Sequence, residues 1–376
     1  MSILKKIFII SSSLLLVILF FGGIYFFVFK KDTPPSPQTQ NAATNIKKNN
    51  SVITAVSDGP VLAPTITADG DNVKYYSKND GRVFQSDFDG NNKKTLSDKT
   101  LTGLQSVIWS PDKTKVITRT KFLSGYFQFN FYDYKTSSGG PLSSNIDTVI
   151  WQSNSKIIYK YFDSVAKQGS LNIADFNGKN WTKLTPLNTK YISMAPIPGS
   201  GLISIWNAPD AFTETILGSA SILGGETRIL FSGNFGTDYL WSNDGNYVLS
   251  SSSDKKGGSK ISLTLLTSQG KNHKITLDIP TFVSKCIWSR DNKTIYYALP
   301  GSIPENSILP NDYISGKINT TDTFWRVNLE TGEKTRLVDL DKINNQFDVT
   351  DLFLNSNESF LFFVNRLDNK LYKISL

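Results

Sequence analysis

From residue 51 onward, apolar and polar residues alternate with period two in short runs. The clearest is YFQFNFYDY (126–134). It is echoed by RVFQSDF (82–88), SLNIADF (170–176), KISLTLLT (260–267), FWRVNLE (324–330) and KLYKISL (370–376). Such alternation is that of strands buried on one face. The turns that follow, DGNN, NGKN, QGKN and TGEK, carry the glycine a tight hairpin needs for positive φ. A second pattern is superimposed. Four apolar phrases end in tryptophan and lead into a turn: SVIWSPDK (106–113), TVIWQSNS (148–155), DYLWSNDG (238–245) and KCIWSRDN (285–292). Weaker copies place Ile66, Met194 and Leu354 in the tryptophan register. The resulting period is 42 to 47 residues with one long interval of 66.

A period in the low forties, with three or four strand signals in each copy, predicts an all-β, seven-bladed β-propeller with four-stranded blades. In the copy at 104–145 the expected order is SVIW, the turn SPDKTK, the strand VITRT, the strand YFQFNFYDY, the turn SSGG and an outer strand PLSS. Trp109, Trp151, Met194, Trp241, Trp288 and Leu354 are the expected blade-core anchors, and the Ser-x-Asp residues after them are turn formers. The last copy stops at its third strand, so SVITAV (51–56) is expected to supply the fourth and to remove the exposed edge.

These phrases carry a family resemblance. WSPDK, WSNDG and WSRDN, each followed by a short apolar strand (VIT, YVLS, TIYYA), resemble the WSPDG-type repeat of TolB-like β-propellers, and KLT (183–185) and KTL (94–96) resemble its LT ending. The resemblance covers about 51 to 376. It implies an envelope-type propeller, a fold shared with the propeller domains of prolyl-oligopeptidase-type enzymes. TolB is similar in having six blades and is a free periplasmic protein, whereas seven copies and an apparent anchor are counted here, so a Tol–Pal role is not implied.

The remaining pattern is N-terminal. Residues 7–29 run 23 positions without a charge, enough for a helix of about 35 Å, which exceeds a bilayer's hydrocarbon core. With Lys5 and Lys6 before it, Lys30 and Lys31 after it, and no small-x-small exit, it predicts a single transmembrane signal anchor over 1–31. Residues 32–50, with three prolines and no apolar period, predict a tether. The expected location is a single-pass cell-membrane protein with its propeller outside the cytoplasm.

Charge changes the picture little. Of the net +8, six lysines and one aspartate fall in 1–50. Subtracting these from 40 basic and 32 acidic residues leaves 34 against 31. No cluster dense enough to follow a phosphate backbone remains, which argues against nucleic acid. One cysteine, Cys286, excludes an internal disulfide, and one histidine, His273, after a turn, removes most triads and histidine metal centres. No metal or cofactor is expected: DFDGNN (87–92) lacks the later acidic ligand of a calcium loop.

Function is sought where repeats differ. An insertion at 298–324 adds about 20 residues to the sixth copy, either as a lid or docking arm or as a solvent-exposed decoration. Trp206 with Asp210 and Glu214 suggests a stacking spot. Arg119, Phe122, Lys160, Tyr161, Phe162 and Arg366 suggest a basic, aromatic rim for an anionic glycan or acidic protein. The favoured function is a non-enzymatic binding or scaffold module of the cell envelope with a protein or glycan partner. The alternative is a carboxylate-dependent propeller enzyme acting on glycans, with Asp147, Asp238 and Asp348 as candidates.

Overall fold

A computed structural model describes residues 52–267 and 274–376. The N-terminal segment (1–31), the tether (32–50), His273 and the QGKN turn therefore lie outside the described residues. Among the described residues, no helix is long and apolar enough to cross a membrane.

Residues from Ser51 onward form one compact unit built from antiparallel sheets. In repeat one, Val61–Ile66, Val73–Ser77, Val83–Ser86 and Lys94–Ser97 pair in chain order. Repeat two uses Leu104–Trp109, Lys115–Lys121, Phe127–Asp133 and Ser138–Pro141. Repeat three uses Ile146–Trp151, Lys156–Asp163, Gln168–Asp175 and Thr182–Pro186. Repeats four and five fuse into one seven-stranded sheet, because the 14-residue strand Arg228–Trp241 is at once the outer strand of the one and the first strand of the other. Its bulge between Phe235 and Asp238 marks the changeover. Repeat six runs from Cys286–Trp288 through Thr294–Gly301 and Thr321–Asn328 to Lys334–Arg336. Repeat seven consists of Val349–Leu354, Phe360–Asn365 and Leu371–Ser375, and Ile53–Ala55 adds its fourth strand, with Ile53 opposite Ile374.

The first strands adjoin one another around the unit. Repeats one to four follow in sequence, the short Val283–Lys285 turn bridges five and seven, and the first strand of seven returns to that of one. Antiparallel four-stranded sheets in this order constitute a β-propeller.

Each tryptophan closes the seam behind it. The indoles of Trp109, Trp151, Trp241 and Trp288 are buried. Trp109 Nε1 donates to the Ala63 carbonyl at 2.8 Å, Trp151 to Ile108 at 2.9 Å and Trp288 to Leu240 at 3.3 Å, each on the preceding repeat's first strand. Trp241 reaches the same place through Ser204, which relays the bond to Ala195. Tryptophan thus supplies both apolar bulk and a donor that a buried strand carbonyl accepts.

The Ser-x-Asp phrases are turns. Ser110 donates to Asp112 at 2.7 Å and accepts the Lys115 N–H at 2.9 Å. Ser242 with Asp244 and Ser289 with Asp291 repeat the arrangement.

Two expectations need correction. The strand-end position of repeat four is held by Ile197, paired with Leu202, whereas Met194 is paired with Ile205 three residues earlier. Met194 is nonetheless buried in the seam behind its repeat, with Ile158 and Leu171 of repeat three, as the tryptophans are in theirs. The outer strand of repeat two begins within SSGG, at Ser138, and ends at Pro141, because the turn already occurs by Ser137, at φ 54°.

Candidate functional site

All second strands end on the face opposite the Ser-x-Asp turns, so the loops that differ between repeats gather there. The insertion of repeat six dominates this face. It does not project as a solvent-exposed decoration. Leu309 and Tyr313 are buried with Ile261 and Phe282, and Tyr313 stacks on Phe282 at 4.4 Å. Asn311 donates to Asp210 at 2.9 Å and accepts the Ala211 N–H at 2.8 Å, both in repeat four. The Leu309 N–H donates to the Gly258 carbonyl at 2.9 Å, and Ser253 donates to the Leu309 carbonyl, both in repeat five. Gly236 makes room for Pro310: a Cβ there would lie 2.4 Å from the proline ring, and its φ of 60° suits glycine. Arg366 of repeat seven donates to the Tyr313 carbonyl at 3.2 Å. The insertion therefore lies across four consecutive repeats.

Beneath it sits a buried ionic cluster. Lys285 Nζ lies 2.6 Å from Asp322 Oδ2, 2.8 Å from Asp348 Oδ1 and 2.9 Å from the Val349 carbonyl, and all three charged side chains are 0% exposed. Tyr313 and Thr320 donate to the same Asp348 oxygen at 2.8 and 3.0 Å. The Val349 N–H donates to Asp322 at 2.7 Å, and Asn365 accepts the Asp348 N–H at 2.9 Å. The second Asp348 oxygen faces Arg366 Nη1 at 3.5 Å. The Arg366 guanidinium covers the Tyr313 ring at 4.2 Å.

The electrostatics follow from this geometry. Burial alone would lower the Lys285 pKa, but Asp322, Tyr313 and Asp348 outweigh it and raise it. Burial pushes Asp348 up, and Lys285, Tyr313 and Arg366 more than offset this, holding its carboxyl below the usual range. Burial of Asp322 is only partly offset by Lys285, so its carboxyl lies above that range. An ammonium fixed between two carboxylates, closed off by a tyrosine, is a structural clamp.

The residues proposed from sequence do not converge. Lys160 is fully buried and paired with Asp147 at 2.6 Å, so it is no rim cation. Trp206 is buried, set edge-on to Tyr239 at 5.7 Å, and its indole donates to Asp238 at 2.9 Å; together with Glu214 it lines a cleft in repeat four. Asp210 is held by the Phe212 N–H, Thr213 and Asn311, and Glu214 by the Gly233 N–H. Arg119 lies over the Phe127 ring at 3.9 Å. Arg366 belongs to the clamp. Tyr161 accepts from Asn145, and Phe162 is half-buried near the cations of Lys160 and Lys190. Phe122 alone of the proposed rim is openly exposed. Asp147, Asp238 and Asp348 each bind a different partner, and burial pushes the Asp238 carboxyl up. Lys285, Asp322, Tyr313 and Thr320 had no local sequence signal.

Among the ligand-sized clefts at the periphery are one in repeat four, of about 400 Å³ and lined by Trp206, Thr213, Glu214 and Ile216, and two others. One, of about 650 Å³, lies between the insertion and repeat five and is lined by Ile261, Pro280, Pro300, Ile303 and Leu309, with Asp254, Lys260 and Glu305 also in its lining. The other, of about 390 Å³, lies between repeats one and two and is floored by Tyr76, Tyr132 and Tyr134. Among the described residues, no three His, Cys, Asp or Glu side chains cluster as metal ligands.

No family model matches the chain, and no curated protein matches it by sequence. Solved structures do. An oligogalacturonate lyase in complex with manganese shares 13% identity, covering 86% of this chain and 90% of its own, at a TM-score of 0.60. An oligogalacturonate lyase from Vibrio parahaemolyticus shares 11%, covering 86% and 93%, at 0.61. The β-propeller domain of the Trilobed protease from Pyrococcus furiosus shares 11%, covering 84% and 92%, at 0.54. At these identities the likeness concerns architecture alone, and it joins the strand order in making this chain a β-propeller.

Proposed function

We propose that the chain is a seven-bladed, TolB-like propeller, tethered to the cell membrane by its N-terminal segment and acting outside the cytoplasm as a non-enzymatic binding or scaffold module for a protein or glycan of the envelope. The blade count rests on seven first strands, with Arg228–Trp241 serving two repeats. The observation that carries the binding reading is the clamp. A glycan-cleaving site needs two carboxylates open to substrate and water, about 5–10 Å apart. Here Asp322 and Asp348 are fully buried, share one ammonium and lie under the insertion.

The enzymatic alternative draws on the structurally similar lyases, one of which is in complex with manganese. The donor set of the clamp does not fit that ion. Lys285 Nζ already occupies the place between the carboxylates at 2.6 and 2.8 Å, and a divalent cation there would face a fixed positive charge.

The test is incubation of the full-length protein with oligogalacturonate and a panel of acidic and neutral oligosaccharides, with and without added manganese. The binding reading expects saturable association with, at most, unshortened chains. Turnover to shorter products would replace it with the enzymatic one.

A further inference from the structure

The variable-loop face is not evenly polar. In repeats two and three its loop tips carry large apolar side chains held away from the body. Leu123 is 109% exposed at the apex of 122–126, Val165 is 91% exposed at the apex of 164–167, and Tyr191 is 80% exposed in the link to repeat four. These tips are built structures. The first is closed by the Phe122 N–H to the Tyr126 carbonyl at 2.8 Å and by the Phe122–Tyr126 ring stack at 6.0 Å. The second is closed by Asp163, whose Oδ1 accepts the Val165 and Ala166 N–H groups at 2.8 and 3.0 Å.

The charge around them is predominantly positive. Lys121, Lys167 and Lys190 flank the three tips, are exposed, and among the described residues pair with no carboxylate. Asp163 is the one acid in these tips, and its Oδ1 is occupied by its own loop. The adjoining link contributes Asp98 and Lys99, which cancel. Separate apolar points, each nearly free of neighbours, do not make the continuous surface that a protein interface packs against. They suit a fluid partner that closes around each one, with lysines at headgroup level.

We propose that the repeat-two and repeat-three edge of this face docks on an anionic lipid bilayer surface, inserting Leu123, Val165 and Tyr191 while Lys121, Lys167 and Lys190 meet the headgroups. This goes beyond the binding function proposed above and does not depend on it or on the N-terminal segment. It fixes which way the propeller faces.

The test reads insertion at one residue, because membrane association alone would not separate the patch from an anchor. Cys286 is buried, so Leu123→Cys in the full-length chain can be labelled selectively with an environment-sensitive fluorophore. The label is then followed in vesicles of phosphatidylcholine and phosphatidylglycerol carrying brominated acyl chains. Ser155→Cys, exposed on the opposite face, is the reference. The Leu123 probe is expected to be quenched and blue-shifted and the Ser155 probe is not. Each lysine near an anionic surface is worth about fivefold in the docking equilibrium. The Lys121→Glu, Lys167→Glu, Lys190→Glu variant, checked for an unchanged melting curve, therefore loses at least about a hundredfold, and its quenching falls to the Ser155 level. Pure phosphatidylcholine does the same. A Leu123 probe no more quenched than the Ser155 probe overturns the proposal. So does quenching that persists in zwitterionic lipid or in the triple variant.

Discussion

Replacing Lys285 by methionine tests the clamp directly. The substitution keeps most of the aliphatic stem but removes the ammonium and its hydrogen bonds, leaving Asp322 buried without a cation and Asp348 with Arg366 Nη1 at 3.5 Å. Breaking a buried pair from one side costs about 3–5 kcal/mol, a large part of the 5–15 kcal/mol that stabilises a typical domain. A unit spanning Ser51–Leu376 unfolds with an entropy of about 0.7 kcal/mol/K, so the melting temperature should fall by about 4–7 °C at neutral pH. The pH dependence is diagnostic. Without the ammonium, the two buried carboxylates take folded-state pKa values above the unfolded value of about 3.9. Groups shifted this way stabilise the fold at low pH and lose that contribution as pH rises through the folded value. The variant's deficit should therefore shrink from pH 7 to pH 5. In the native protein Asp348 is shifted downward, so its contribution is present above the unfolded pKa and is lost only as pH falls through the folded one. Adding Asp322→Asn and Asp348→Asn to Lys285→Met should recover most of the lost stability. Thermal melts of the full-length chain at the two pH values provide the assay. A drop below about 1 °C, or a deficit independent of pH, would refute the reading of this cluster as a charged clamp.

Tyr313→Phe removes the hydroxyl donated to Asp348 while keeping the stack on Phe282; loss of a hydrogen bond to a charged group should cost about 1.5–3 kcal/mol, read by urea denaturation at constant slope. Trp151→Phe keeps an aromatic ring but leaves the Ile108 carbonyl without its donor, so it should cost about 1–3 kcal/mol in the same assay, whereas Trp288→Phe, whose bond is longer at 3.3 Å, should cost less. Gly90→Ala should destabilise by more than 1 kcal/mol, because its φ is 80° and the new Cβ would lie 2.2 Å from the Val56 carbonyl oxygen. Burial raises the Cys286 thiol well above its ordinary value, so maleimide should modify it only in denaturant, with mass spectrometry as the readout.

The repeat was legible in the sequence because its determinants are local. A tryptophan, a Ser-x-Asp turn and a period-two strand lie within about thirty residues, and each acts on its immediate neighbours. The buried clamp was not legible for the opposite reason. Lys285 meets Asp322 and Asp348 at separations of 37 and 63 residues, and although each lies in a stretch the sequence singles out, nothing local links one to another. Alternation tells which face of a strand is covered but not what covers it. That is why Lys160 and Trp206, placed toward second-strand ends, read as rim residues although Asp147 and Asp238 on first strands hold them inside. The insertion was visible as an extra length of chain. Its docking was not, since Asn311, Leu309 and Tyr313 find their partners in repeats four, five and seven.

The two faces of the unit solve different problems. The turn face repeats one device, an indole reaching back to the preceding first strand, and four copies of a nearly identical device do not distinguish one repeat from another. The loop face uses polar pairings that occur once each. Asp147 takes Lys160 within repeat three, Asp238 takes the Trp206 indole of the previous repeat, and Asp348 takes Lys285 from the link before repeat six. A first strand entering beside the wrong neighbour would keep its apolar seam and its tryptophan bond. It would leave Asp238 or Asp348 buried without its partner, at several kcal/mol, whereas the Asp147–Lys160 pair lies within one repeat. Asp238 and Asp348, which pair across repeats, therefore make repeat order energetically specific. The clamp lies at the inner strand, Val349–Leu354, of the last sheet, whose opposite edge Ile53–Ala55 completes by pairing with Leu371–Ser375.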